Sequence, residues 1–132
     1  MILIVCVDDH NGMMFNHRRQ SQDRVLRADI LELTGGKKLW MNAYSKKQFA
    51  ESDTARIRVN ETFLDAAGDG EFCFVENADV SGCVERIGEI YLYRWNRDYP
   101  ADVYFPVDLS VWKCVETKEF AGSSHEKITR ER

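Results

Sequence analysis

The sequence predicts an α/β fold with a mostly parallel central sheet, short flanking helices and an antiparallel C-terminal hairpin. Three observations lead to this prediction. Residues 1–8 form a continuous apolar run, which is typical of a strand covered on both faces at the centre of a parallel sheet. Strand-like runs then alternate with short amphipathic segments, a pattern that indicates βα units. From residue 101 onward the helical period disappears, and a turn at 122–124 separates the last extended stretches.

Length, composition and charge narrow the class of protein. The 132 residues fit one domain, 1–132, and the balance of 44% hydrophobic and 30% charged residues carries no signature of disorder. The formal net charge is −4 with Lys and Arg spread along the chain, so we do not expect general nucleic-acid binding. The first apolar run is too short to span a membrane and has no basic region before it. The sequence therefore predicts a cytoplasmic protein with no membrane partner, and it leaves the oligomeric state open.

The first helix is predicted over residues 22–34, after a polar stretch at 9–20 that we expect to form a mobile basic loop. Ser21 offers a capping hydroxyl for this helix. Asp23 can pair with Arg27 one turn later. Apolar side chains repeat at helical spacing, at Leu26, Ile30 and Leu33.

The elements that follow are shorter. Lys38–Met41 is predicted to be a strand, and Ser45 with Gln48 forms a capping box for a second helix. The remaining predicted elements are a strand at 55–59, a short helix from Asn60 to Ala67, strands at 72–75 and 89–94 with a helix at 79–87 between them, and an edge strand in the tail from residue 123.

The C-terminal third carries a resemblance to a known family. The strand Glu89–Arg94 is followed by the stretch 99–112, which contains YFPVDLSVW. This order resembles the dihydrofolate reductases, in which a strand ending in Tyr-Leu-Thr precedes a Phe-Phe-Pro segment and an Asp-x-x-x-Trp motif. The earlier elements, up to Lys38–Met41, follow the spacing of that family, with one strand–helix unit missing between 50 and 60. The resemblance covers nearly the whole chain and implies a dihydrofolate-reductase-like fold.

The chain departs from that family at the positions that would carry its chemistry. The acidic residue that contacts the pterin ring in the family falls here at Leu26, between Asp23 and Asp29. The Gly-Arg-x-Thr segment that holds cofactor phosphate in the family is replaced here by residues 42–45. Of the groups that would bind phosphate, only a serine hydroxyl and the start of a helix remain. The glycine-rich turn after the later strand is replaced by 76–79, which carries two carboxylates. The cofactor is therefore unknown, and these departures argue against NADPH.

Polar residues follow each predicted parallel strand and are expected to meet at one edge of the sheet. In an open parallel sheet, ligands lie beyond the carboxyl ends of the strands. We therefore predict a cleft with acceptors from the strand ends and donors from the basic loop. The candidate ligand-binding residues are Asp8, Asp9, Asn16, Arg18, Arg19, Asn42, Tyr44, Ser45, Glu76 and Asn77.

The leading hypothesis is a binding protein, not a reductase, for a small polar, nucleotide-like ligand. In this hypothesis Arg18 and Arg19 contact phosphate, while Asp8, Glu76 and Asn77 fix a base or sugar. Ser45 marks the helix terminus.

Several alternatives stay open. The same polar residues can serve only as helix caps and turn residues. The chain can also be an enzyme, either a residual NADPH-dependent reductase or a metal-dependent phosphoester hydrolase. The hydrolase would use Asp8, Asp9, Glu76 or Asp79 as oxygen ligands. A third class is a protein–protein interaction module whose cleft is filled by its own side chains.

Overall fold

The computed structural model describes residues 1–49 and 56–132. Its strands are β1 (Ile2–Val7), β2 (Gly12–Phe15), β3 (Arg18–Arg19), β4 (Leu39–Met41), β5 (Ile57–Val59), β6 (Phe72–Val75), β7 (Glu89–Arg94), β8 (Val103–Tyr104), β9 (Thr117–Phe120) and β10 (Ile128–Glu131). Its helices are α1 (Arg24–Leu33), α2 (Ala43–Lys46) and α3 (Phe63–Ala66), with 3₁₀ helices at Lys47–Phe49, Ser81–Arg86 and Leu109–Val111. The predicted start of the fifth strand, at residue 55, lies outside the described residues.

The main sheet has seven strands in the order β5-β4-β6-β1-β7-β10-β9. The first five run parallel, and Ile2 of β1 pairs with Phe72 on one side and Glu89 on the other. β10 is antiparallel to both β7 and β9. This confirms the predicted α/β class with a mostly parallel sheet and an antiparallel C-terminal hairpin. The tail is not the predicted edge strand, because β10 lies between β7 and β9.

Apolar side chains cover both faces of the main sheet, which explains why β1 shows no alternation in sequence. Leu3 and Val5 belong to one core, whereas Ile4 belongs to the core on the opposite face. Helix α1 packs Leu26 and Ile30 into this second core. In the described part of the chain, no helix is long and apolar enough to cross a bilayer.

Residues 9–20 do not form the loop that their polar composition predicts. β2 pairs antiparallel with β3 and β8 in a separate three-stranded sheet. The connection from β2 to β3 is Asn16-His17, with positive φ angles of 51° and 61°, as a two-residue hairpin turn requires. Arg18 and Arg19 therefore lie in a strand. The neighbouring strand β2 is anchored to the core by the buried side chains of Met13 and Met14.

The helix caps differ from those predicted. Asp23, not Ser21, caps α1, and its Oδ1 accepts hydrogen bonds from the N–H groups of Val25 and Leu26. Asn42 caps α2 by accepting a bond from the N–H of Ser45, so Ser45 lies within the helix and not at its cap. The predicted helices at 60–67 and 79–87 are shorter than expected, and the second is a 3₁₀ helix.

Asp23 also joins α1 to the turn before β10, and does not pair with Arg27 as predicted. Its carboxylate accepts bonds from the N–H groups of Ser123 (3.0 Å) and Ser124 (2.8 Å), and lies 3.1 Å from Nδ1 of His125. The His125 ring stacks on Trp95 at 4.5 Å. Burial alone would raise the pKa of Asp23, but these donors outweigh it and hold the pKa well below its usual range.

We expect the variant Asp23→Asn to lose about 2–3 kcal/mol of unfolding free energy at pH 7, because a buried carboxylate with several donors is replaced by an amide. The folded-state pKa of Asp23 lies below its unfolded value. This stabilisation is therefore complete above the unfolded pKa of about 4 and is lost as the pH falls below it.

Urea denaturation of both proteins from pH 7 to pH 3 measures this effect. The difference in unfolding free energy should narrow on acidification. The contributions of Asp8 and Asp29 are common to both proteins and cancel. A difference that stays constant with pH would contradict the assignment.

Candidate functional site

Arg19 fastens the β2–β3 hairpin to the end of β6. Its Nε donates to Oε2 of Glu76 (2.8 Å), and its Nη2 donates to Oε1 (3.0 Å). The backbone N–H of Arg19 donates to the Tyr44 hydroxyl at 2.8 Å, and its guanidinium lies 4.5 Å from the centre of the Tyr44 ring. Burial would lower the pKa of Arg19, but the bonds to Glu76 raise it above its usual value. The Arg19 guanidinium is therefore held in its charged form.

A second set of contacts continues along the same edge of the sheet. Nδ2 of Asn42, at the end of β4, donates to Oδ1 of Asn77 at 2.7 Å. The N–H of Ala43 donates to Oε2 of Glu61, which follows β5, at 2.8 Å. We call the connected residues the polar rim: Arg19, Asn42, Tyr44, Glu61, Glu76 and Asn77.

Asp8, at the end of β1, holds the chain segment that follows it. Its carboxylate accepts bonds from the N–H of Gly12 (2.7 Å), the N–H of His10 (2.8 Å) and Nε2 of Gln20 (2.9 Å). Burial would raise the pKa of Asp8, but these donors lower it. A Cβ at position 12 would lie 2.6 Å from Cβ of Ala101, so only glycine fits there.

The other predicted site residues lie apart from the rim. Asp9, Asn16 and Arg18 are exposed. The contacts of residues 1–49 and 56–132 do not join the side chain of Arg18 to the rim. Ser45 is buried within α2. The structure therefore brings together five of the predicted residues, Arg19, Asn42, Tyr44, Glu76 and Asn77, and places Asp8 beside Gln20 on the hairpin side.

A small inner cavity remains between the hairpin and the strand ends. It measures about 10 Å³, room for one water molecule, and its lining includes Cys6, Arg19, Gln20 and Glu76. Oε1 of Gln20 is buried without a hydrogen-bond partner among the described residues. Burial raises the pKa of the Cys6 thiol well above its usual value. The Arg19–Glu76 pair thus lines a space that is too small for anything larger than water.

A larger cavity lies on the other side of the rim, between α3 and the 3₁₀ helix Ser81–Arg86. We call it the α3 cavity, and its volume is about 460 Å³. Its polar lining is Glu61, Thr62, Asp65, Asp79 and Arg86, and its apolar lining includes Phe63, Leu64 and Ala78. Three carboxylates therefore face one guanidinium.

Local contacts fix the positions of two charged side chains in the lining of the α3 cavity. The N–H of Ser81 donates to Oδ1 of Asp79 at 2.9 Å and lowers the pKa of this carboxyl, which is ionised at neutral pH. The Arg86 guanidinium donates to the carbonyl of Leu64 and lies 3.9 Å from Asp65. The cavity is consequently acidic and rich in hydrogen-bond acceptors.

Sequence reasoning missed Glu61, Thr62 and Arg86. Glu61 comes two residues after β5, so the rule that ligands lie beyond strand ends could have found it, had this strand been included. Asp79 was considered only as a strand-end carboxylate and metal ligand. Among the described residues no three His, Cys, Asp or Glu side chains gather in a way that could hold a metal ion.

Comparison with known proteins concerns the fold alone. No protein family and no curated protein matches the sequence. A solved structure of dihydrofolate reductase from Enterococcus faecalis, complexed with NADP(H) and RAB-propyl, is similar with a TM-score of 0.66 and 12% identity. The match covers 99% of this chain and 95% of that one. The chain has a dihydrofolate-reductase-like fold.

The two acidic residues on either side of Leu26 bind the C-terminal half of the chain. Leu26, at the position counted for the pterin-binding acid, is buried in the core. Asp29 accepts bonds from the Tyr93 hydroxyl (2.5 Å) and from Nη1 of Arg130 (2.7 Å). Asp29 and Asp23 are therefore both committed to contacts with the C-terminal half of the chain.

The Arg19–Glu76 pair can be tested with a double-mutant cycle of Arg19→Gln and Glu76→Gln. The side chains are only 20% and 9% exposed and bond through two atoms each, so we expect a coupling energy of about 1–3 kcal/mol by urea denaturation. Lys127 and Glu119 form a matched exposed pair, 58% and 55% exposed at 3.6 Å, with an expected coupling below about 0.5 kcal/mol. An equal coupling energy in both pairs would contradict the conclusion that Arg19 fastens the hairpin to the end of β6.

Proposed function

We propose that this chain is a small-molecule binding protein, not a working reductase, and that its ligand is an uncharged, nucleoside-like molecule in the α3 cavity. The observation that carries this proposal is an acceptor-rich space of about 460 Å³ beside the strand ends. That volume is within the usual range of about 300–1,000 Å³ for small-molecule sites.

The chain lacks the chemical groups that the reductase activity of the resembling family would require. The pterin-binding acid is replaced by Leu26, and the inner cavity of about 10 Å³ admits no ring system. We expect NADPH to bind poorly as well, because Glu76 and Asp79 stand where the family resemblance implies glycine, and the charge of Asp79, unpaired among the described residues, opposes a pyrophosphate.

The chemistry of the α3 cavity favours a ligand that donates hydrogen bonds. Glu61, Asp65 and Asp79 present only acceptors when ionised. Sugar hydroxyls and exocyclic amino groups are suitable donors, and Leu64 and Ala78 offer apolar contact to a planar base. A nucleoside combines these features in a molecule of suitable size.

A phosphate group on this ligand would add little to the binding free energy. Arg19 is already engaged by Glu76, and Arg18 lies apart from the rim, so the two arginines expected to contact phosphate do not face the α3 cavity. Arg86 is the cation in its lining, opposed by three carboxylates. We therefore expect nucleosides to bind more tightly than their monophosphates.

A thermal-shift panel tests the ligand class, because a ligand that binds only the folded state raises Tm. The panel contains nucleosides, their monophosphates, NADPH and dihydrofolate. At one hundred times Kd, a nucleoside should raise Tm by roughly 10 °C in a domain of this size. Site-resolved alkylation provides a second readout, since Cys83 lines the α3 cavity and bound ligand should slow its reaction.

The variant Glu61→Gln with Asp79→Asn should lose most of the nucleoside shift, because both carboxylate acceptors become amides. Glu126→Gln changes an exposed carboxylate outside the cavity lining and is the matched control. If no nucleoside in the panel raises Tm, the proposal that the ligand is nucleoside-like is wrong. NADPH oxidation that depends on dihydrofolate would overturn the proposal in favour of a reductase.

A further inference from the structure

A second large cavity lies beside β7, away from the polar rim. It measures about 430 Å³ and is enclosed by β7, the end of β10 and the segment 109–115. None of its lining residues lines the α3 cavity or the inner cavity. We call it the C-terminal cavity.

The interior of the C-terminal cavity is apolar. Ile90 and Leu92 of β7 form its floor, and Leu109 and the half-buried indole of Trp112 form a wall. Val115 completes the lining, with 66% of its surface exposed. A valine this exposed beside an indole wall provides apolar surface that a ligand would remove from water.

The charged groups around the opening leave one cation unpaired. Arg94 pairs with Glu131 at 2.6 Å, and Arg132 pairs with Glu89 at 2.8 Å. Lys113 also lines the cavity, and in residues 1–49 and 56–132 it forms no ion pair. The two carboxylates of the opening are thus neutralised by arginines, and the remaining charge is positive.

We propose that the C-terminal cavity is a second binding site, for a small apolar molecule that carries one negative charge, such as an aryl carboxylate or sulfonate. The ring system packs against Trp112 and Val115, and the anionic group lies at Lys113. This site is independent of the nucleoside-like ligand proposed for the α3 cavity.

The probe for this site is 8-anilinonaphthalene-1-sulfonate, which has two aromatic ring systems and a single negative charge. Its uncharged analogue, N-phenyl-1-naphthylamine, is the comparison. Fluorescence titration of the folded protein should give tighter binding of the sulfonate by about three- to fivefold, the size of an exposed charge contact. The variant Lys113→Gln should abolish this preference.

Two valines of the same segment provide matched variants. Val115 lines the cavity, whereas Val111 is 78% exposed and does not. Because both side chains are largely exposed, Val115→Asp and Val111→Asp should both fold, as the Tm of each variant will check. Val115→Asp should weaken sulfonate binding at least about tenfold by adding a negative charge to the apolar wall, and Val111→Asp should bind as the unmodified chain does.

Cysteine alkylation locates the probe. Cys114 is exposed and lines the C-terminal cavity, whereas Cys83 lines the α3 cavity. Saturating sulfonate should slow alkylation of Cys114 about fivefold or more and leave Cys83 unchanged, since access controls thiol reactivity.

Equal binding to the two valine variants, or protection of Cys83 in place of Cys114, would overturn the second site. Equal binding to the valine variants would leave the nucleoside proposal intact, since its evidence is the response to Glu61→Gln with Asp79→Asn. Protection of Cys83 would also count against that proposal, because it would place an anion in the acidic α3 cavity.

Discussion

The ion pair between Arg19 and Glu76 fixes the β2–β3 hairpin against the carboxyl ends of the parallel strands. It joins a hairpin that follows β1 to the end of β6, across the edge where parallel strands present their carboxyl ends. Both carboxylate oxygens accept from the guanidinium, and the Tyr44 ring covers it. Removal of either partner would leave a half-buried charge without compensation. The inner cavity that the pair lines therefore stays small, and the larger volumes of the fold are the α3 cavity and the C-terminal cavity.

A second set of contacts, at Asp23 and His125, holds helix α1 against the C-terminal part of the chain. Ser21, His125 and Asp23 lie at hydrogen-bond distances, 3.2 Å and 3.1 Å, in the order of a nucleophile, a base and an orienting acid. Two facts favour a structural role. Both oxygens of Asp23 accept backbone N–H bonds, and the cavity that Ser21 lines, at about 10 Å³, has no room for a substrate. The network links α1 to the C-terminal hairpin.

The sequence predicts the features that arise from local pattern. The unbroken apolar run of β1 indicates a central parallel strand, and the residues that follow β4 and β6 meet as strand-end geometry requires. The features it misses depend on distant partners. Asp23 replaces Ser21 as the cap because it also binds residues about a hundred positions away: Ser123 donates to Oδ1, the oxygen that caps the helix, while Ser124 and His125 contact Oδ2. The β2–β3 hairpin escapes notice because two buried methionines are surrounded by polar residues.

Acidic side chains follow β6 at the positions where the family resemblance implies a glycine-rich turn. A glycine-rich turn lets a backbone N–H approach a phosphate, which the positive end of a helix then stabilises. In this chain the corresponding residues include two carboxylates, Glu76 and Asp79. Glu76 is neutralised only by consuming Arg19, the nearest cation. Asp79 keeps its charge because a backbone N–H stabilises the ionised form. In the function proposed above, the Asp79 carboxylate therefore remains available at this end of the sheet, where its charge favours a hydrogen-bond donor over a phosphate.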